Sequence, residues 1–468
     1  MDLSRRTAVL TGTAALIATR ATAATQVYDV AIIGAGLAGL SAALALEAAG
    51  AKVIVLEAQD RPGGRLRHET GGGLSIDVGA VQMGPLYTRV RALCARFDIV
   101  SRPQSRGFGK IDMAIGDQMI RAADWAASNA NPLKGTEREI PPFLLEQRLF
   151  ARLSPITNVD QWLDPAFARF DVTPAALMRS NGVSEAAISL INTWINAPGV
   201  HRSSALHMFR EGARAAGRTA DAEKQASPVG EIEGGLSQLP TRMAAALTTP
   251  VRYKAETVAI RQTRQGVTIV LRSGETVRAL QAICTAPLHA AKHIAFDPPL
   301  PPDQAEAFQT ATYSGVTQLH FTATSPFWLE DGFAASLYTD SWIERVLAVE
   351  GDKGVERVAI WLNGDGAAAA DATDPATLTA RALAHLAKIR PASAGKLKPA
   401  FAYSWGRNRF SGGIRHVLDA GQAARFGPIL DRPHGRIRFA GEHMRREEHG
   451  MEAAVETAER AARRILAA

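Results

Sequence analysis

The chain has only two cysteines in 468 residues, Cys94 and Cys284. That excludes a disulfide-stapled scaffold, and no group of residues shows metal-ligand spacing. Cys284 lies in the apolar run LQAICTAPL and Cys94 in a helical pattern, so both are expected as buried free thiols. Aromatic residues are scarce, at 6%, and are not interleaved with basic ones. The net charge of +7 is scattered, with no long basic run. A nucleic-acid footprint is therefore excluded, and the charge reads as a solvated surface. Beyond the N-terminus nothing approaches the roughly 18–20 consecutive apolar residues that span a bilayer. There is no internal repeat, and no low-complexity tract beyond alanine-rich helices. What remains, 46% hydrophobic and 21% charged, is ordinary for a globular protein. The length exceeds one compact core, so two packed domains are expected.

The first residues, MDLSRRTAVLTGTAALIATRATAA, carry the tandem Arg5-Arg6, a weakly apolar run and then Arg20. Ala21-Thr22-Ala23 follows as a small-residue cleavage site. Residues 1–23 thus read as an export signal of the twin-arginine type. That route carries proteins already folded, so a periplasmic or secreted location is expected, with any cofactor acquired before export.

The segment VYDVAIIGAGLAGLSAALALEAAGAKVIVLEA reads as strand, glycine turn, helix and strand. The apolar run Val30 to Ile33 feeds Gly34-x-Gly36-x-x-Gly39, and the next run, Val53 to Leu56, ends in Glu57. This context makes the motif a dinucleotide signal. Gly34 permits the tight turn, Gly36 lets the backbone approach a pyrophosphate, and Gly39 lets helix and strand pack closely. The helix N-terminus then offers unpaired N–H groups to the phosphates, and Glu57 accepts from a ribose. From about Ile120 to Gly217 the pattern is helical. Residues 217–228 read as a polar loop, and Val229 to Pro287 as short strands. Strands and helices alternate from Pro298 to about Pro428, before a terminal strand, glycine and helix.

EAQDRPGGRLRHE (57–69) resembles the E-A-x-x-R-x-G-G-R stretch of the flavin-dependent amine oxidase family. IDVGAVQMG (76–84), GEIEGGLSQLPTRMAAAL with ETVAI, and RFAGEHMRREEHGMEAAVETAERAARRIL resemble that family's later motifs. The resemblance spans residues 28 to 466. It implies an α/β fold: a Rossmann-like FAD-binding domain of the GR2 type with a discontinuous α+β substrate domain. The FAD domain is expected from 26–100, 229–297 and 432–468. The substrate domain, with its helical insertion, is expected from 101–228 and 298–431. The resemblance also implies the FAD contacts. Gly34, Gly36 and Gly39, with Ala38, would face the pyrophosphate, and Glu57, beside Ala58, the adenosine ribose. Gly64 and Arg65 would add a phosphate contact, and Val258 would offer its backbone to the adenine. Gln82, Met83 and Gly441 fall in the same motifs. Glu442 would reach the ribityl or phosphate region. The backbone N–H near Met451 would face the flavin N1–C2=O edge and stabilise the reduced form.

Three positions depart from the family pattern. A family lysine that holds water near flavin N5 is replaced by Gln318, which is neutral, and His320 shares its strand face, more often the mark of a core histidine. The cysteine that bonds flavin in monoamine oxidases is replaced by Ile414, so FAD is expected to be non-covalent, while Trp405 fits an aromatic beside the flavin. The two aromatics that cage the substrate amine are replaced by Arg415 and Gly450. Arg415 would pair a substrate carboxylate or sit in a salt bridge. With Gln318, Trp405 and Arg415 as its candidate catalytic residues, the chain is expected to oxidise the C–N bond of a small amine or amino acid. Hydride would pass to flavin N5 and the imine would be hydrolysed. Electrons would go to oxygen or to a periplasmic carrier. The alternatives are a flavin dehydrogenase or desaturase acting on a non-amine substrate, or a flavin-bound redox partner without turnover. No metal, nucleic acid or membrane span of the mature chain is expected.

Overall fold

The computed structural model describes residues 27–84, 86–103, 109–217, 230–232, 234–351 and 354–467. The export signal expected at 1–23 lies outside the described residues, as does the polar loop from 218 onward.

Two seven-stranded sheets organise the chain. In the first, Val27–Ile33 lies between Val53–Leu56 and Thr276–Cys284 and runs parallel to both. An antiparallel meander, Thr257–Gln262 to Val267–Leu271 to Thr276–Cys284, extends it. Ala295–Asp297 and the late strand Ile437–Phe439 join in parallel. This sheet therefore collects three stretches far apart in sequence. The second sheet runs Leu397–Ser404, Val316–Ala323, Gly354–Asn363, Arg345–Gly351, Ser336–Thr339, Ile111–Ile115, Gln118–Ile120. It is antiparallel except where Ser336–Thr339 meets Ile111–Ile115.

The first sheet is covered by helix Leu37–Ala48, whose alanines and leucines pack against Ala454, Val455, Ala458 and Ala462 of helix Gly450–Leu466. Small side chains on both helices permit this close contact. Gly39 packs on the helix's other side, against the glycine turn: a Cβ there would stand 1.9 Å from the Gly34 carbonyl oxygen. Glu452, buried in the terminal helix, accepts the N–H groups of Arg89 (2.8 Å) and Val90 (3.1 Å), and so caps helix Thr88–Arg96. The helical middle is as expected, with helices Pro142–Leu153, Pro174–Ser180, Glu185–Trp194 and Ala205–Gly217. Cys94 and Cys284 are free and buried. Among the described residues no helix is long and apolar enough to cross a membrane.

Candidate active site

A cavity of about 950 Å³ opens at the carboxyl ends of the parallel strands, where Ile33 and Leu56 reach its wall. This is the face at which parallel sheets bind ligands. Its opposite wall is made by Val316, Gln318 and Trp361 of the second sheet, with Trp405.

The glycine turn forms one end. Gly34 has φ +104°, a region that favours glycine, and Thr285 Oγ1 lies where its Cβ would go. Gly36 precedes helix Leu37–Ala48, and no side chain caps that helix N-terminus. Its first N–H groups are free for an anion at the cavity wall. A Cβ on Gly36 would meet nothing within 4 Å. Glu57 takes the backbone N–H of Ala35 (2.7 Å) on one oxygen and that of Gln59 (2.8 Å) on the other. Burial pushes its carboxyl above the usual range, and those two N–H groups pull partly back.

Arg65 ties the middle together. Its Nη1 donates to the Ile414 carbonyl and to Glu442 Oε2, both at 2.8 Å. Glu442 also pairs with Arg445. Burial alone would raise the Glu442 carboxyl, but Arg445 and Arg65 outweigh it and hold it well below the usual carboxylate range. Glu442 is thus a permanently charged clamp on Arg65. Helix Gly450–Leu466 starts at the cavity, again without a side-chain cap, and Gly450 and Met451 line the wall there.

At the other end Gln318 Nε2 donates to the Val78 carbonyl at 2.9 Å, and Gln318 Oε1 lies 2.9 Å from His320 Nε2. Burial holds His320 down to about 3, so the ring is neutral and Nε2–H is the donor. His320 is a core histidine packed at a tilt against Phe401, 4.9 Å between ring centres, and it fixes the Gln318 amide. The Trp405 indole N–H reaches the same Val78 carbonyl at 2.8 Å.

Arg415 lines the cavity in an ion pair with Glu211 at 3.0 Å. Burial would raise Glu211, but Arg415, Arg210 and Arg445 hold it down at about 2. Of the two readings of Arg415, the salt bridge is present. Gly450 also has a physical reason: a Cβ there would come 2.5 Å from the Tyr87 hydroxyl. Tyr87 meets His449 edge-on at 5.8 Å, and both line the cavity. Aromatic rings therefore stand beside the site, from positions other than the two compared in sequence.

Gly34, Gly36, Ala38, Glu57, Ala58, Gly64, Arg65, Gln82, Gln318, Trp405, Ile414, Arg415, Gly441, Glu442 and Met451 all reach this cavity. Gly39 packs beneath the turn. Met83 turns into the core, its sulfur 3.8 Å from that of Cys94. Val258 is not at the wall, which is formed there by Ala255, Glu256 and Thr257. The residues sequence reasoning missed are Tyr87, Asn196, Glu211, Trp361 and His449. Each is brought in by tertiary packing; Trp361, for example, stands opposite Gln318 across a strand pair.

The comparisons agree with this geometry. The chain is 26% identical over 443 residues to an L-amino-acid oxidase of Vipera ammodytes ammodytes, covering 90% of this chain and 89% of that protein. It is 26% identical over 461 residues to the L-amino-acid oxidase BmooLAAO-I of Bothrops moojeni, covering 94% and 89%. The structure of cyclohexylamine oxidase from Brevibacterium oxydans matches with a TM-score of 0.77 and 25% identity, over 94% of this chain and 99% of that one. A putrescine oxidase structure with putrescine bound shares the fold, with a TM-score of 0.77 at 23% identity, over 95% and 100%. Residues 37–466, which hold Glu57, Arg65 and Glu442 as well as the Gln318 end of the cavity, match one family described as Flavin containing amine oxidoreductase, and the chain belongs to it.

Proposed function

We propose that this protein oxidises the carbon–nitrogen bond of a small amine or amino acid, with non-covalent FAD as cofactor and oxygen as electron acceptor. One observation carries the reading: a single cavity joins a dinucleotide-type glycine turn to a wall of aromatic and charged side chains. The residues suit the cofactor. Two uncapped helix N-termini, the open space at Gly36 and the clamped Arg65 match its phosphates and its electron-rich ring edge. Ile414 stands where a flavin-bonding cysteine would be, and the two cysteines are buried in the core. When bound, the flavin supplies the two-electron oxidant.

This chain's residues do the rest. Gln318 and Trp405 pin the Val78 carbonyl, and with it the segment to Gln82 that borders the cavity. Trp361, Trp405 and Tyr87 shape the space for the reacting carbon. Burial holds His449 down to about 4, so the Tyr87–His449 wall is uncharged. Beside it the guanidinium groups of Arg415 and Arg210 disfavour a protonated amine and so select the neutral, reactive form. The Arg415–Glu211 pair presents one group of each sign to a polar substrate tail.

The names of the relatives favour this reading over a dehydrogenase or desaturase acting on a non-amine substrate. The twin-arginine segment supports export of the loaded, folded protein to the periplasm. Turnover in air with an accepted primary amine or amino acid should release carbonyl product, ammonia and peroxide in equal amounts. Carbonyl product from such a substrate without ammonia would refute C–N oxidation.

A further inference from the structure

A second cavity, of about 350 Å³, lies apart from the first. It is bounded by the end of helix Glu185–Trp194, by residues 340–344 and by residues 363–366. Its size is near the lower end for small-molecule sites. None of the residues used above lines it.

Its walls are built of acceptors. Asp340 and Asp365 contribute two carboxylates and Glu344 a buried carboxyl group, against one guanidinium, Arg381. Glu344 and Asn363 are each more than nine-tenths buried. Glu344 Oε2 receives the Asn363 backbone N–H at 2.8 Å and its Nδ2 at 3.1 Å. Asn363 Oδ1 is buried with no hydrogen-bond partner. A buried amide oxygen left without a partner is costly, and here it belongs to a residue that lines a cavity with three carboxyl groups. Among the described residues the Asp340 carboxylate receives the backbone N–H of Gly116. At the rim stands Trp342, with the Arg381 guanidinium 5.5 Å from its ring centre, so the indole already attracts a cation.

Such a site calls for a ligand that is cationic and rich in N–H donors. Among the described residues no three acidic, histidine or cysteine side chains converge enough to hold a metal ion. The spread of oxygens suits a nitrogen cation whose N–H bonds fan outward and whose carbon part lies on an aromatic face. The location adds a consequence. Ala197, Pro198 and Gly199 line this cavity, while Asn196 lines the larger one. Arg345, next to Glu344, donates to Asn196 Oδ1 at 3.1 Å and to the Trp194 carbonyl at 2.6 Å. One short segment therefore forms a wall of both cavities.

We propose that this cavity is a second, non-catalytic site for a small organic ammonium ion, held by Asp340, Glu344, Asn363 and Asp365 against Trp342, and that its occupancy alters the catalytic cavity through the 194–199 segment. The test uses the flavin-loaded protein and n-butylammonium chloride as probe, followed by calorimetry. Asp365→Asn and Trp342→Ala should each weaken one binding event on the order of tenfold or more, with flavin content unchanged. At high probe concentration the rate of flavin reduction by a substrate amine should shift in the wild type and not in the two variants. Binding identical in wild type and both variants overturns the proposal. So does equal occupation by magnesium or sodium chloride, which would make it an inorganic-cation site. A reduction rate equally sensitive to the probe in all three proteins overturns the coupling. If no amine reduces the flavin while Asp365→Asn still abolishes the binding event, the proposed reaction fails and this site stands.

Discussion

Gln318 and Trp405 donate to one and the same acceptor, the carbonyl oxygen of Val78, at 2.9 and 2.8 Å. The donors come from two segments of the second sheet region, and the acceptor from the chain just after the Gly64-Arg65 turn. Both donors are neutral, so the junction does not depend on pH. Trp405→Phe keeps the ring and loses the N–H, which should cost about 1 kcal/mol. Gln318→Leu leaves the His320 N–H without an acceptor and should cost about 1–3 kcal/mol. Trp405→Ala opens a cavity as well, for about 3–5 kcal/mol. Urea unfolding should return that order; equal losses for Trp405→Phe and Trp405→Ala would mean that the indole N–H, and not packing, dominates.

Two glycines of one motif should fail in different ways. Gly36 has φ −74°, and a Cβ there meets open cavity. Gly36→Val should fold normally and purify with flavin content reduced on the order of tenfold or more. Gly39→Ala drives a methyl into the Gly34 carbonyl and should destabilise the fold by about 1–3 kcal/mol or more. Visible absorbance per protein and thermal unfolding separate the two. Full flavin in Gly36→Val would place the pyrophosphate elsewhere.

Acid should unfold this protein early. Burial holds His449 to about 4, and His320 and His443 to about 3. Burial, with Arg445 nearby, holds His207 and His416 well below their ordinary value. Unfolded, all five titrate near the ordinary value of roughly 6.5. Their stability contribution is intact above that pH and falls as the pH drops toward 4, because the unfolded chain binds protons first. Burial holds Glu146 and Glu344 up at about 7, and these two work the opposite way. Burial also raises the carboxyls of Glu57, Asp77 and Glu456, which trim the effect, but in the window of roughly pH 4.5–6.5 the histidines leave the unfolded chain binding more protons than the folded one. Calorimetric melting temperatures should drop steeply from pH 6.5 to 5. A flat profile would mean that the histidines are protonated in the fold.

The Arg415–Glu211 pair should behave as a partly buried charge pair at the cavity wall. Arg415→Met leaves the Glu211 carboxylate with weaker pairing and should cost about 1–3 kcal/mol. Adding Glu211→Gln should recover part of the loss, giving a coupling of about 1 kcal/mol or more in a double-mutant cycle. Additive losses would show that Glu211 relies on Arg210, 3.6 Å away, instead.

The cofactor end was legible because its residues are local: Gly34 to Glu57, Gly64-Arg65 and Glu442 to Met451 lie in compact motifs whose spacing encodes a turn and a helix N-terminus. Even there, Val258 missed the cavity by one position and Met83 faces the core, since strand residues alternate faces and one step changes the side. The substrate end was legible only in part. Gln318 and Arg415 were identified, but Glu211, Asn196, Tyr87 and Trp361 come from four separate segments. Their meeting depends on strand register and helix packing, which no local pattern reports. The emptiness at Gly450 read as a lost aromatic; in three dimensions the Tyr87 hydroxyl stands where that side chain would begin.

The most direct measurement is anaerobic. The purified flavoprotein is mixed with a panel of amines and amino acids while the visible flavin band is followed. The account predicts bleaching by at least one class of them, with colour restored and peroxide formed when air is admitted. A flavin that dithionite reduces and no amine or amino acid bleaches would contradict it.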